Sequence, residues 1–359
     1  MTGWARQVRT SALLPRGTRV FAHRGVTLRV YGPALVVGGG FTLLVVLLAA
    51  LSITQGDYDM GLDDVWAALT GQASPVLTHV VLELRLPRAL TGLGVGVALA
   101  LSGMLLQRLA HNPLVSPDII GINAGASTAA VLTIVVFGGT ALMIASGALF
   151  GAMVTAVLLY LLAYQRGISG YRLVLIGIGV TAMLTSVTSF LLTRTDLDTA
   201  QRAMFWLTGS LAGRDWPEVV TITSGLVVFA PLAFALSRQI RLLQLGDDTA
   251  RALGGRVQLA RAGLLFTASG LSAMAVAVAG PITFVALVAP QIVRRLLHER
   301  VVGLLPAAAC GAALVLGADL IARTAFGGSE LPAGVITGAL GGPYMLYLLA
   351  RTNRIGRGG

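Results

Sequence analysis

The chain has 359 residues, 55% of them hydrophobic and only 11% charged, with a mean hydropathy of +0.82. A soluble domain carries about 25% charged residues, so a water-soluble fold is excluded. The net charge of +11 would suggest nucleic acid for a soluble protein, but in a membrane chain the placement of the charge reports orientation, and no nucleic-acid partner is expected.

Apolar stretches of about 20 residues, the length that crosses a hydrocarbon core as helix, recur along almost the whole chain. The short alternating segments of a membrane barrel are missing, so the predicted class is an all-α polytopic membrane protein. All 26 basic residues are arginine. Without lysine there is no Walker A loop, whose lysine reaches the nucleotide phosphates. Cys310 is the single cysteine and lies in an apolar segment; it reads as a small buried residue, with no disulfide and no thiolate metal site.

Residues 1–33 hold Arg6, Arg9, Arg16, Arg19, Arg24 and Arg29 and no acid. No small-residue cleavage site closes the following apolar run, so the stretch reads as a cytoplasmic tail. Ten spans follow, at about 34–53, 89–108, 119–137, 140–163, 172–192, 217–236, 259–279, 283–297, 303–322 and 333–350, forming one transmembrane domain over 34–350 with a tail at 351–359. The connection 54–88 is acidic and contains "GLDDVWAALTG", a short amphipathic surface helix. It ends on Arg85 and Arg88. The connection 193–218 is also slightly acidic, whereas 237–261 sets five arginines against Asp247 and Asp248. Arginine excess falls on one side throughout, so both termini are cytoplasmic and Arg85 and Arg88 lie outside. From the residues alone they either snorkel to headgroups or hold a carboxylate bidentately, with Glu83 and Glu330 as competing local acids.

Gly92/Gly96, Gly121/Gly125, Gly147/Gly151 and Gly334/Gly338 have the small-xxx-small spacing that lets helix backbones approach. "HNPLVSPDIIGINAGAS" (111–127) reads either as a broken, close-packed segment or as a simple turn; irregular backbone at membrane depth must be buried or line a wet cavity. "VALALSGMLLQRLAHNPL" and "MAVAVAGPITFVALVAPQI" echo one another in the manner of inverted repeats. "LLQLGDDTARALGGRV" (242–257) reads either as a polar connection or as a short amphipathic helix able to dock on a cytoplasmic partner.

Ionisable residues are almost absent from mid-membrane positions: Asp118 and Asp319 lie near span ends, and His111 and His298 in cytoplasmic loops. An ion-coupled carrier or exporter would place carboxylates or histidines there. No acidic pair, His/Cys cluster or Ser-His-Asp set is in reach for catalysis, so no catalytic residue, metal ligand or cofactor is predicted.

Taken together, "RLPRALTGLGVGVALALSGMLLQRLAHNPLVSPDIIGINAGAS", "LGDDTARALG", "AVAVAGPITFVALVAPQIVRRLLH" and "GADLIAR…ELPAGVITGALGGPYMLYLL" resemble the FecCD-like permease subunits of type II ABC importers for iron siderophores, haem and vitamin B12. The resemblance covers residues 35–350 approximately. It implies a non-enzymatic transport subunit of the cytoplasmic membrane. Such a subunit pairs with a second permease, identical or paralogous, with ABC ATPase subunits beneath and an extracytoplasmic substrate-binding protein above. The expected cargo is a ferric siderophore, with vitamin B12 or haem as the alternative. The ATPase coupling stretch, within the loop 237–258, maps onto Leu245, Gly246, Asp247, Asp248, Ala250, Arg251, Leu253 and Gly254. Binding-protein docking maps onto Arg85, Arg88 and Arg323, and the translocation gate onto Asn112, Leu114, Ser169 and Gly170. Two positions depart from the family pattern: Gly170 and Tyr171 stand where small hydroxyl residues are common, and Gln291 stands where a histidine often follows "AP".

Overall fold

A computed structural model describes residues 6–7, 18–23, 26–56, 58, 60–164, 170–297, 303–326 and 330–355. The N-terminal tail contributes a feature the composition reading did not contain, a three-stranded antiparallel sheet in the order β1 (Arg6–Gln7), β2 (Thr18–His23) and β3 (Val26–Tyr31). Phe21 pairs with Leu28 and Thr18 with Tyr31. The strand β3 runs without a linker into α1 (Gly32–Thr54), whose first turn holds Pro33, where a missing N–H costs nothing.

Two short helices follow, α2 (Leu62–Leu69) and α3 (Pro75–His79), the first being the expected surface helix. A π-helical segment, Val80–Arg85, then leads directly into α4 (Leu86–Ala110). Next come α5 (Ile122–Phe137), α6 (Ala141–Ala163), α7 (Gly170–Thr193), α8 (Leu197–Leu207) and α9 (Trp216–Ala235). The cytoplasmic connection holds α10 (Ser237–Leu243) and α11 (Asp247–Ala252), and α12 (Val257–Ala279), α13 (Val285–Leu296), α14 (Leu304–Thr324) and α15 (Ala333–Ile355) complete the chain. Helix starts are fixed by local chemistry. Asp196 accepts the Thr199 N–H at 2.9 Å, and the Asp215 N–H donates to Glu218 at 3.1 Å; both arrangements satisfy orphan donors of a first turn.

Every expected span coincides with a helix, and among the described residues seven helical stretches are long and apolar enough to cross a membrane. Two expected spans are shorter than read. The helix α5 has 16 residues and α13 only 12, about 24 and 18 Å at about 1.5 Å per residue, less than a hydrocarbon core of about 30 Å. Each begins after irregular backbone with a left-handed residue, Gly121 (φ +90°) before α5 and Phe284 (φ +66°) before α13. The irregular stretches are buried at Val115, Ser116, Ile120 and Ile282, which is how such backbone survives at membrane depth. The last expected span, 333–350, continues as helix to Ile355.

The helix α4 is the hub, packed against α1, α9, α12, α13 and α14 and buried over nearly its whole length. It is apolar around its circumference, as a helix enclosed by other helices is. Glycine brings these neighbours close. A Cβ on Gly96 would run into the backbone of Gly311 and Ala312, and one on Gly103 into that of Ala286. The two stretches of similar pattern, in α4 and α12–α13, thus lie against one another. By contrast α1 buries only Val45 and Ser52 and presents the rest to its surroundings.

Candidate functional site

Three groups of residues singled out in the sequence occupy three places in the fold. Arg85, Arg88 and Arg323 come together at the extracytoplasmic end, around the C-termini of α1 and α14 and the start of α4. The Arg85 guanidinium, 9% exposed, donates to the carbonyls of Ile53 (2.8 Å), Thr54 (3.0 Å) and Tyr58 (2.8 Å). It closes the last turn of α1, where carbonyls lack helical partners and the helix dipole favours a cation. Gly56 (φ +153°) makes room for it, since a Cβ there would sit 2.6 Å from Arg85 Nη2. The π-helical segment positions this side chain: Arg85 is its last residue, and π-turns insert an extra residue that re-aims the side chains beside it.

Arg88 lies one turn on and is held differently. Its Nη2 donates to Asp319 Oδ1 at 2.9 Å and its Nε to Oδ2 at 3.1 Å, a bidentate pair, while Nη1 reaches Glu330 at 3.2 Å. Arg323 closes the cluster, donating to Ser52 Oγ (2.9 Å) and its carbonyl (3.0 Å) and facing Asp319 at 3.4 Å. Asp319 is buried, whereas the Glu330 side chain is 52% exposed. Arg88 and Arg323 thus share Asp319, and Arg88 also holds Glu330, a carboxylate exposed enough to swing into water. Such a cluster can accept a further carboxylate from outside. Asp319 was legible only as an acid near a span end; its partner Arg88 is 231 residues away in sequence.

The predicted coupling stretch forms the helix α11, flanked by Gly246 (φ +91°) and Gly254 (φ +78°). Its two acids differ. Asp247 pairs with the buried Arg261 at 2.8 Å, tying α11 to α12, and Ala250 is buried beneath it. Asp248 and Arg251 face solvent and meet at 3.4 Å, a separation and exposure that contribute little. Leu245 and Leu253, 57% and 60% exposed, flank the helix as exposed apolar side chains. Arg261 was missed in the sequence because it reads as one more cytoplasmic arginine at the head of a span.

At the positions predicted for the gate, Asn112 Oδ1 accepts the Leu114 N–H at 2.9 Å, an Asx turn that fixes the loop after α4. The neighbouring His111 has φ +51° and its Nε2 lies 3.2 Å from the Leu243 carbonyl of α10. Gln291 of α13 is buried and donates to the Pro113 carbonyl (2.7 Å) and to Gln107 Oε1 (2.8 Å). Gln107 in turn donates to the Leu287 carbonyl at 3.2 Å. The position that departs from the family pattern therefore carries a glutamine latching the loop after α4 to two helices. Gly170 abuts the end of α4; a Cβ there would sit 2.6 Å from Ala110 Cα. Ser169 lies outside the described residues. Deeper in, Asn123 bonds to Asp118 and accepts the Ser272 hydroxyl at 2.7 Å, so these polar groups are satisfied by one another. Among the described residues no group of three or more His, Cys, Asp or Glu is gathered for a metal.

The loop after α4, the exposed helix α11 and the outer arginine cluster thus sit on one helical body, and known proteins share its sequence. The FecCD transport family model matches residues 43–351. The ferric enterobactin transport system permease protein FepG of Escherichia coli (strain K12) is 43% identical over 302 residues, 84% of this chain and 92% of that protein. The achromobactin transport system permease protein CbrC of Dickeya dadantii (strain 3937) is 41% identical over 312 residues, 86% and 89% of the two chains. The hemin transport system permease protein HmuU of Yersinia pestis is 34% identical over 325 residues, 89% and 96%. A solved structure described as an inward-facing conformation of a metal-chelate type ABC transporter superposes with a TM-score of 0.79 at 30% identity, covering 88% of this chain and 99% of that one. The chain belongs to the FecCD transport family.

Proposed function

We propose that the protein is the membrane-spanning permease subunit of an ABC importer that moves a ferric siderophore into the cytoplasm by alternating access. The observation that carries the cargo class is the 43% identity, over 84% of the chain, with a ferric enterobactin permease. What supports an ATPase as the energy source is the pairing of an exposed, apolar-flanked α11 with a membrane interior almost free of ionisable groups. Leu245 and Leu253 seat in a cleft of the ATPase, burying apolar surface worth about 1.5–3 kcal/mol per side chain. Movement of α11 passes to α12 through Asp247–Arg261. His111, at the Leu243 carbonyl, and the Gln107–Gln291 pair link the same connection to the gate loop of Asn112 and Leu114, with Gly170 on the facing helix. A substrate-binding protein docks outside, its carboxylates displacing Glu330 from Arg88. Rim pairs of this kind set register and on-rate more than affinity.

The test is uptake of a radiolabelled ferric siderophore in a strain deleted for this chain. Uptake returns with the wild-type chain only when a cognate ATPase is present. Uptake that persists without the ATPase and follows a proton gradient overturns the proposal. A haem permease is the second reading, favoured by the match to HmuU; restored growth on hemin but on no siderophore selects it. Vitamin B12 uptake in the same strain is the third arm.

A further inference from the structure

We propose that the groove between α1, α9, α10 and α14 is a binding site for an anionic phospholipid of the cytoplasmic leaflet, its headgroup on Arg241 and Arg238 and an acyl chain along Gly38, Gly39 and Thr42. The groove has a volume of about 790 Å³ and runs from Tyr31, Ser237 and Arg241 at one end to Val45 and Ala312 at the other. The first end gathers the start of α1, the start of α14 and the helix α10, all of which the arginine distribution places in the cytoplasm. From Tyr31 to Val45 is about 21 Å at about 1.5 Å per residue. That is one headgroup layer plus half of a core about 30 Å thick. Beyond Val45 the groove is shut, because Val45, Ala312 and Leu316 pack together with Leu48 and Leu93. A membrane-crossing helix therefore has no room, whereas the tail of one leaflet fits the depth.

The walls and the rim point to the same occupant. Gly38 and Gly39 line the groove, yet a Cβ on Gly39 or Gly40 would meet nothing within 4 Å. Helix-interior glycine is unfavourable against alanine, and at Gly39 the missing side chain leaves the wall of the groove hollow. At the rim Arg241 lines the groove, and Arg238, three residues earlier on α10, shares its face. Both are exposed. The acids nearest in sequence are committed elsewhere, Asp247 to Arg261 and Asp248 to Arg251. A phosphodiester at this depth would meet two cations, the tyrosine hydroxyl of Tyr31 and the hydroxyl of Ser237. The helix α10 leads directly into α11, so the headgroup would brace the connection that carries α11.

The test uses the full-length chain purified in detergent and titrated with phosphatidylglycerol or phosphatidylcholine, bound lipid being counted by native mass spectrometry. The wild type binds phosphatidylglycerol more tightly. Arg238→Ala with Arg241→Ala weakens that binding by about thirtyfold, at about fivefold per arginine near a membrane surface, and leaves phosphatidylcholine unchanged. Gly39→Leu, which fills the wall, lowers retention of both lipids; Thr42→Leu serves if that variant does not yield folded protein. Equal binding of the two lipids, a preference that survives the double arginine change, or a preference lost only on deleting residues 1–30 overturns the proposal.

Discussion

Replacing Asp247 by alanine tests how the cytoplasmic helix is held. Asp247 faces Arg261 at 2.8 Å, and the Arg261 side chain is 11% exposed while that of Asp247 is 33% exposed. Removing one partner of a fully buried pair costs about 3–5 kcal/mol, because the other charge is left uncompensated. The partial exposure of Asp247 lets water replace it in part, which brings the cost to about 2 kcal/mol. At about 1.4 kcal/mol per tenfold, this is about a thirtyfold loss in the population of correctly seated α11, a six-residue helix too short to persist alone. The assay is the affinity of the detergent-solubilised permease for its ATPase, together with uptake in proteoliposomes. Asp247→Ala raises Kd by about thirtyfold and slows uptake in proportion. Adding Arg261→Met removes the cation that faced Asp247 and restores most of the affinity, a coupling that a double-mutant cycle measures. Asp248→Ala shows no such rescue by Arg261→Met, since the Asp248 side chain is fully exposed and among the described residues pairs with Arg251. If Arg261→Met adds to the defect of Asp247→Ala, the anchoring argument is wrong.

Three further predictions concern the other clusters. Arg85→Ala strands the carbonyls of Ile53, Thr54 and Tyr58 and destabilises the protein by about 3 kcal/mol, at about 1.5–3 kcal/mol for hydrogen bonds to a charged group. It is read as a lower thermal unfolding midpoint, and Arg85→Lys recovers only part because an ammonium cannot reproduce the planar fork. Arg88→Glu acts at docking: it weakens capture of the binding protein while leaving ATPase assembly intact, whereas Glu330→Gln strengthens capture by removing the competing carboxylate. Gln291→Leu leaves the Pro113 carbonyl and Gln107 without their donor, at about 1–3 kcal/mol for a buried unsatisfied group. It raises hydrogen–deuterium exchange in residues 111–121 without changing that of α14; unchanged exchange there would show that Gln291 does not latch the loop.

The helical skeleton was legible because crossing a bilayer demands long apolar runs: the span expected at 140–163 is α6, Ala141–Ala163. The shortness of α13 was legible in part, its span being read as 283–297; the left-handed Phe284 trims the helix start to Val285 without lowering the hydropathy of the run. Positive-inside counting placed Arg85 and Arg88 on the outer face as a pair, and they do sit at one rim. Charge alone could not separate them. The π-turn that aims Arg85 at α1 has no compositional signal, and the acid that holds Arg88 is distant in sequence. Gln107 and Gln291 were invisible to any charge accounting, being neutral amides, although the departure at Gln291 from the family pattern marked the position. The tail's alternating "VTLRVY" was a strand signal, overshadowed by counting its arginines.

The central claim is that ATP hydrolysis, transmitted through α11, moves the cargo. Its most direct measurement is ferric siderophore uptake into proteoliposomes holding this chain, its partner permease, the ATPase and the binding protein, with a proton ionophore present. Uptake that requires ATP, ignores the ionophore and falls with Asp247→Ala is the predicted result. Uptake that proceeds without ATP and collapses with the ionophore would contradict the account.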